Sequence, residues 1–271
     1  LCMDSVRPNL NIKGGRLLLS SEQYALFDGN LSIGTGMILL TGASADGANT
    51  VLTDVTDKNT INDAKYIFVS AAHTHCACGG KGFDGHDSHT DMTWQPWTAT
   101  GSLPTAAGNY YLINDVILTA DPVTLPGGVN ICLNGNRISD GKDFKGLIEL
   151  TVADGGTFSV TDCGANGGIG NIAVLSGKLV MYGGNIIEET QLKIDNDASF
   201  LMTGNAENDN AIVIRGSANF TMSGNAKNNG YISLFETDKT GTVEFCGNAD
   251  GGYVMIHEPQ QDAKIRLYDN A

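Results

Sequence analysis

Proline, aromatic residues and charged residues are all scarce in this sequence of 271 residues. It contains 6 prolines, 7% aromatic residues and 17% charged residues, and apolar residues at helical spacing are missing. Its longest apolar stretches, such as residues 37–40, fall far short of the roughly 20 residues that a membrane-spanning helix needs. The sequence therefore predicts neither a helical fold nor membrane insertion.

Positive charge is also in short supply. Lys and Arg number 16 against 30 Asp and Glu, which gives a net charge of -14. Such a surface repels phosphate backbones and anionic lipid headgroups. We therefore predict that nucleic acid is not a partner.

The two ends of the sequence lack features of a complete secreted chain. The first residues have no initiator Met, basic segment or apolar leader, so a signal peptide is expected to be absent or already removed. Residues 268–271 stop in the middle of a repeat unit, which predicts further coils and other domains of a parent chain.

Glycine is abundant, and an apolar-variable-apolar segment recurs between glycine-rich turns. The starts of successive copies are about 21 residues apart. The copies are residues 158–160, 179–181, 200–202, 220–222, 243–245 and 265–267. This alternation is typical of a strand with one buried face, and its period predicts an all-β fold, a right-handed parallel β-helix of about 21-residue coils. A propeller or a sandwich is the alternative.

An asparagine follows the first apolar position of the later copies at a constant offset. These asparagines are Asn205, Asn225, Asn248 and Asn270. Because stacked coils place equivalent residues above one another, we expect their amides to point inward and form a hydrogen-bonded column.

The same pattern predicts the organisation of the whole chain. Leu10 and Leu31 are again separated by one repeat, so residues 1–70 are expected to form about three N-terminal coils. Residues 71–100 are predicted to be a His/Cys/Trp insert, and residues 101–271 to be the C-terminal coils, which continue beyond the sequence.

On this period, the asparagines and the Gly-Asn turns, the chain resembles the pectate-lyase-like right-handed parallel β-helix superfamily. It is similar in particular to repeat modules of large secreted surface proteins of Gram-positive anaerobes. The resemblance implies the fold and a location outside a bacterial cell or on its surface. It implies no reaction, because one fold serves many functions.

The insert holds four of the five histidines and two of the six cysteines. Thiolate and imidazole ligands suit tetrahedral zinc, and a glycine pair after Cys78 lets the chain turn back. The predicted ligands are Cys76, Cys78, His86 and one of His73, His75 or His89. With four protein ligands the zinc is structural. The alternative is a polar surface loop that binds no metal.

Both tryptophans lie near the end of the insert, at Trp94 and Trp97. Neighbouring aromatic rings can stack on sugars, so these residues are a candidate site for a polysaccharide or host glycan. The alternative is that they fill a core where the insert docks.

Catalytic sets are poorly represented. Asp195, Asp197 and Arg215 are candidates for a polysaccharide lyase or glycoside hydrolase, with calcium as a further cofactor, although a solvated turn explains the two aspartates as well. The sequence has no Gly-x-Ser-x-Gly elbow and no phosphate-binding loop. The first function hypothesis is therefore a non-catalytic extracellular module that binds carbohydrate or a host surface. The alternatives are such an enzyme or a purely structural spacer.

Three cysteines outside the insert lie in strand or turn segments beside apolar residues. They are Cys132, Cys163 and Cys246. Cysteine commonly packs as a small apolar residue, so we expect buried thiols outside any disulfide.

Overall fold

The structure is a computed structural model, and short β-strands make up most of it. It describes residues 9–12, 17–20, 30–34, 37–42, 50–52, 66–77, 90–140, 147–164, 166–187, 191–235, 241–256 and 264–268. None of these residues belongs to a helix that is long and apolar enough to cross a membrane. The chain divides into two compact units, Leu1–His73 with Gln95–Ala99, and Thr74–Trp94 with Thr100–Ala271.

The first unit contains both parallel and antiparallel strand pairs. Its strands are β1 (Asn9–Ile12), β2 (Leu17–Ser20), β3 (Asn30–Ile33), β4 (Met37–Gly42), β5 (Thr50–Leu52) and β6 (Tyr66–Ala71). Strands β1 and β3 pair in parallel with Leu10 opposite Leu31, as the spacing of the repeat predicts. Strands β2, β6, β4 and β5 form an antiparallel sheet in that order. The prediction of parallel coils was wrong for these strands, because an alternating apolar pattern does not specify the direction of the partner strand.

Three further sheets contain the remaining strands. A ten-stranded sheet contains β7 (His73–His75), β8 (Met92–Trp97), β9 (Gly108–Leu112), β12 (Val129–Cys132), β15 (Thr157–Thr161), β18 (Lys178–Met181), β21 (Ser199–Met202), β24 (Asn219–Met222), β27 (Thr242–Cys246) and β29 (Lys264–Tyr268). A six-stranded sheet contains β10 (Val116–Ile117), β13 (Arg137–Ser139), β16 (Gly168–Ile169), β19 (Asn185–Ile186), β22 (Glu207–Asn208) and β25 (Lys227–Asn228). A seven-stranded sheet contains β11 (Val123–Leu125), β14 (Ile148–Val152), β17 (Ile172–Ser176), β20 (Gln191–Ile194), β23 (Ala211–Arg215), β26 (Tyr231–Phe235) and β28 (Tyr253–Ile256). A 3-10 turn spans Ala153–Gly155.

From β9 to β26 the chain visits these three sheets in turn, and each visit pairs in parallel with the previous one. In the ten-stranded sheet Phe158 lies opposite Leu179, Leu179 opposite Phe200, and Phe200 opposite Phe220. The predicted repeat is therefore confirmed in register. The fold is an all-β parallel β-solenoid whose coils have the length that the repeat predicts. The segment predicted as an insert contributes β7 and β8 to one end of the ten-stranded sheet.

The core of the solenoid is a column of stacked apolar side chains. Phe158, Phe200 and Phe220 are each at most 1% exposed, and the rings of Phe200 and Phe220 lie 5.2 Å apart between centroids. Because strands of neighbouring coils are about 4.8 Å apart, inward side chains at equivalent positions must contact each other. Each buried side chain of this size contributes about 2 kcal/mol of transfer free energy.

The predicted asparagine column was wrong in its position. Asn205, Asn225 and Asn248 are exposed, whereas the alanines that follow the first two are buried. In these Gly-Asn-Ala turns the small alanine occupies the inner corner, so the asparagine faces outward. The fourth predicted member, Asn270, lies outside the described residues.

A short buried amide column does exist, in the two neighbouring coils that contain Asn208 and Asn228. The Asn208 Nδ2 donates to Asn228 Oδ1, and Asn228 Nδ2 donates to the Gly251 carbonyl at 2.7 Å. These two asparagines are 0% and 3% exposed. The column satisfies amides that burial would otherwise leave without hydrogen bonds.

Candidate metal centre

Strand β7 presents two histidines on one side. Successive side chains of a strand point to opposite faces, so His73 and His75 share a face that Thr74 does not. The burial of the three residues follows this alternation, since Thr74 is exposed and the histidines are half-buried and buried. A His-x-His spacing on a strand therefore places two imidazoles together.

Two cysteines from neighbouring coils lie against each other. Cys132 is the last residue of β12 and pairs with Thr161, and Cys163 follows shortly after Thr161. The Cys132 thiol donates to Cys163 Sγ across 3.3 Å. The stacking of the coils thus brings together two sulfur atoms whose residues are 31 positions apart in the sequence.

The turn that carries Cys163 is held by the neighbouring carboxylate. Asp162 accepts hydrogen bonds from the backbone amides of Gly135 at 2.8 Å, Gly164 at 3.1 Å and Gly167 at 3.0 Å. A Cβ atom on Gly164 would lie 2.5 Å from the Gly135 nitrogen, so this position requires glycine. Close stacking of the two turns therefore holds Cys163 beside its partner sulfur.

The histidines and cysteines converge on one point. One ligand atom each of His73, His75, Cys132 and Cys163 lies within 4.8 Å of the other three. Tetrahedral zinc with bonds of about 2.3 Å to sulfur holds its sulfur ligands about 3.8 Å apart. The group therefore has the composition and nearly the spacing of a closed four-ligand metal site.

A hydrogen bond to a backbone carbonyl fixes the tautomer of His75. Its Nδ1 lies 2.6 Å from the Cys76 carbonyl oxygen, and a carbonyl can only accept, so Nδ1 carries the proton. In the neutral ring Nε2 is then the nitrogen that carries the lone pair, and a metal would bind that atom. Metal-binding histidines commonly donate their other N–H to a backbone carbonyl in this way.

The electrostatics of the cluster favour a positive charge beside the sulfurs. Burial lowers the pKa of His75, but hydrogen bonds to the Cys163 side chain and the Cys76 carbonyl outweigh it and raise the pKa overall. Negative charge at Cys163 and Asp91 acts in the same direction. The hydrogen bond to Cys163, together with burial, raises the pKa of Cys132 well above its ordinary value. A divalent cation would supply positive charge at the same place.

Trp94 positions His75. The indole Nε1 donates to the His75 carbonyl at 2.9 Å, and the two rings stack with centroids 4.5 Å apart and an interplanar angle of 29°. Trp94 is 1% exposed, so neither face of its ring is open to a sugar. This is the core-filling alternative for Trp94. Trp97 is half-buried, and its role in glycan binding stays a prediction.

The other ligands predicted from the sequence are not part of this cluster or lie outside the described residues. Cys76 is 2% exposed and disulfide-bonded, so its sulfur has no thiolate to offer while that bond persists. The prediction for Cys78, His86 and His89 falls on residues outside those that the structure describes. Of the predicted set, the structure brings His73 and His75 into the cluster.

Cys132 and Cys163 were missed as ligands because their coil is longer than the repeat. Val129 pairs with Phe158, whereas a fixed period of about 21 residues predicts Leu150 as its partner. That period therefore places Cys132 far from Cys163. The useful signal is that Cys132 ends a strand and Cys163 lies two residues beyond the end of the next strand of the same sheet.

The thiol state predicted for the three cysteines outside the insert is confirmed. Their predicted burial holds for Cys132 alone, since Cys163 and Cys246 are partly exposed. A cysteine in a turn can thus keep one side open to solvent even when its neighbours are apolar.

The candidate catalytic residues are engaged in structural contacts. The Lys193 ammonium lies 3.2 Å from Asp195, Ser217 donates to Asp197, and the Arg215 guanidinium lies over the Phe235 ring at 5.3 Å. Within the described ranges, these aspartates do not join a third acidic, histidine or cysteine ligand.

Comparison with protein-family models, with curated proteins and with solved structures found no significant match.

Proposed function

We propose that this protein is a non-catalytic β-solenoid module of a larger bacterial surface protein, and that a structural zinc ion fastens its first coils. The observation that carries the proposal is the convergence of His73, His75, Cys132 and Cys163 within 4.8 Å. Two imidazoles and two thiolates are a common ligand set for structural zinc.

The burial of the ligands supports a structural role. His75 is 9% exposed and Cys132 is 0% exposed, whereas His73 and Cys163 are half-buried, so two of the four ligands would hold the metal from the protein interior. A catalytic zinc keeps an open position for water or substrate, whereas four protein ligands close the coordination sphere. The proposed ion therefore joins strands instead of activating a substrate.

The sequence separation of the ligands explains what the metal would contribute. It would join β7 to the ends of β12 and β15, in addition to the backbone pairing of β12 with β15 and the hydrogen bonds of Asp162. Binding to the folded state stabilises it by mass action, about 2.7 kcal/mol when free zinc exceeds the Kd 100-fold. This stabilisation would act on the coil from β12 to β15, which is longer than the repeat.

The location outside the cell rests on different observations. The disulfide at Cys76 is typical of proteins outside the reducing cytosol. The net charge of -14 favours solubility and disfavours anionic partners. Other domains of the parent chain are then the neighbours of this module.

Metal analysis of the purified chain tests the proposal. We expect about one zinc per chain, a tetrahedral cobalt spectrum with sulfur-to-metal bands after substitution, and loss of both in Cys132→Ser and Cys163→Ser. Cys246→Ser is the matched control, because Cys246 is a thiol outside the cluster. Equal zinc content in all three variants, or none in the wild type, contradicts the proposal.

A groove on the solenoid favours carbohydrate binding as a second function. It has a volume of about 250 Å³, and its lining includes Tyr182, Asn185, Asn205 and Glu207. Amide and carboxylate groups beside an aromatic ring suit the hydroxyl groups and apolar face of a neutral sugar. Glycines of the lining leave it concave, and they are Gly164, Gly167, Gly183 and Gly184.

Affinity electrophoresis on neutral polysaccharides, together with a glycan array, tests this function. We expect Asn205→Ala and Glu207→Gln to weaken retention. Asn225→Ala is the control, because Asn225 is exposed on the next coil in the same kind of turn and is outside the groove lining. Retention that is absent in the wild type, or is lost equally in the control, excludes this groove as the site.

A further inference from the structure

The two sulfur atoms of the cluster are as well placed for each other as for a metal. Cys132 Sγ and Cys163 Sγ are 3.3 Å apart, and both residues are thiols. A disulfide bond is about 2.05 Å long, so an approach of about 1.2 Å joins them. Side-chain rotation in one residue supplies a movement of this size.

The exposure of the two cysteines assigns them different tasks. Cys132 is 0% exposed at the end of β12, whereas Cys163 is partly exposed in the turn held by Asp162. An external reagent therefore reaches Cys163 first. Among the described cysteines, Cys163 is the one that lies beside Cys132.

We propose that Cys132 and Cys163 form a thiol–disulfide site, and that its oxidation and metal binding are mutually exclusive. The reactant is a small-molecule disulfide, such as oxidised glutathione. This inference rests on the proposed function for its second half, since the same two sulfurs are the proposed zinc ligands.

The reaction consists of two exchanges. The Cys163 sulfur attacks one sulfur of the external disulfide, the S–S bond breaks, and one external thiolate leaves with the proton of Cys163. The Cys132 sulfur then attacks Cys163 Sγ in the mixed disulfide, and the second external thiolate leaves with the proton of Cys132. The external disulfide is reduced to two thiols, and the two cysteines are oxidised to one disulfide.

The product replaces one link between coils with another. The bridge joins the end of β12 to the turn after β15 covalently, across the 31 residues that separate the cysteines. It leaves His73 and His75 without sulfur partners for a metal. The first coils are thus fastened either by a metal under reducing conditions or by a disulfide under oxidising conditions.

Peptide mapping of the full chain tests the inference without a variant. The protein is reduced, freed of metal with a chelator and incubated with excess oxidised glutathione. It is then alkylated, digested without reductant and analysed by mass spectrometry. We expect a linked peptide pair containing Cys132 and Cys163, distinct from the bridge of Cys76, and complete loss of cobalt or zinc binding until reductant is added.

Controls separate this inference from the proposed function. Cys246→Ser should form the same bridge, and Cys132→Ser should stop at a glutathione adduct on Cys163. Preloading with zinc should protect both thiols from oxidation. If Cys132 and Cys163 of the oxidised protein are still alkylated after unfolding in denaturant, or if the bridged protein still binds zinc, the inference is overturned.

If the bridge forms but the reduced protein binds no zinc, the proposed zinc function fails and the exclusion of metal fails with it. If zinc binds but no bridge forms, the zinc function stands and the thiol–disulfide site fails. Failure of the zinc function and failure of the thiol–disulfide site are therefore distinguishable.

Discussion

The coils around Phe200 and Phe220 and the coils around Cys132 and Cys163 are held together in different ways. In the former, equivalent apolar side chains stack at every coil, and each is at most 1% exposed. In the latter, a tryptophan, a histidine and two cysteines form one polar cluster of specific hydrogen bonds. Regular coils thus distribute their stabilisation over many equal contacts, whereas the irregular coils concentrate it in a few groups.

The first prediction tests the regular side of this comparison and has the largest expected effect. Phe220→Ala should lower the free energy of unfolding by about 3–5 kcal/mol, because it leaves a cavity between Phe200 and the next coil. Urea unfolding followed by circular dichroism measures the change. Phe235→Ala is the control, since Phe235 is half-buried and should lose less. Equal losses would mean that the stacked phenylalanines contribute no more to the free energy of unfolding than a half-buried phenylalanine does.

The second prediction tests the irregular side by removing the metal. A chelator should lower the Tm of the reduced wild type, by an amount that corresponds to about 2.7 kcal/mol at zinc concentrations 100-fold above the Kd. Cys132→Ser should unfold at one temperature with or without the chelator. Differential scanning calorimetry measures both. If the chelator leaves the Tm of the wild type unchanged, no metal stabilises the coils around Cys132 and Cys163.

The third prediction concerns the buried amide column. Asn208→Ala removes the donor to the Asn210 carbonyl and to Asn228 Oδ1, and it leaves the Asn210 amide without its acceptor. We expect a loss of about 2 kcal/mol, since unsatisfied buried polar groups cost about 1–3 kcal/mol. The exposed Asn225→Ala should change stability by less than about 0.5 kcal/mol. Urea unfolding of both variants measures the two losses. A larger loss for Asn225→Ala would favour the asparagine column that was predicted from the sequence.

The fourth prediction has the smallest expected effect on stability but a second readout. Trp94→Phe keeps an aromatic ring beside His75 and removes the N–H that donates to the His75 carbonyl. We expect a loss of about 1 kcal/mol and a weaker metal affinity, because the histidine is less firmly oriented. Trp97→Phe serves as the control for metal affinity in a zinc competition titration. Unchanged affinity in Trp94→Phe would show that the indole only fills space.

Much of the solenoid followed from its repeat. Phe158, Leu179, Phe200 and Phe220 have equivalent positions in the sequence, and each lies opposite the next in the sheet. The antiparallel strands β2, β4 and β6 did not follow, because their alternation is the same in either direction of pairing. The predicted asparagine column failed because the sequence shows which residues are equivalent but not which face a turn residue takes.

The candidate site was predictable only in part. His73 and His75 stand out by their spacing, and strand alternation alone places them together. Their partners Cys132 and Cys163 lie in a coil that is longer than the repeat, and the turn at Asp162 decides their approach. The sequence by itself therefore determined the coil, its inward residues and two of the ligands, since these depend on local alternation and period. Only the tertiary structure decided which cysteines meet the histidines and which asparagines are buried, because these depend on loop lengths and on the close contact of stacked turns.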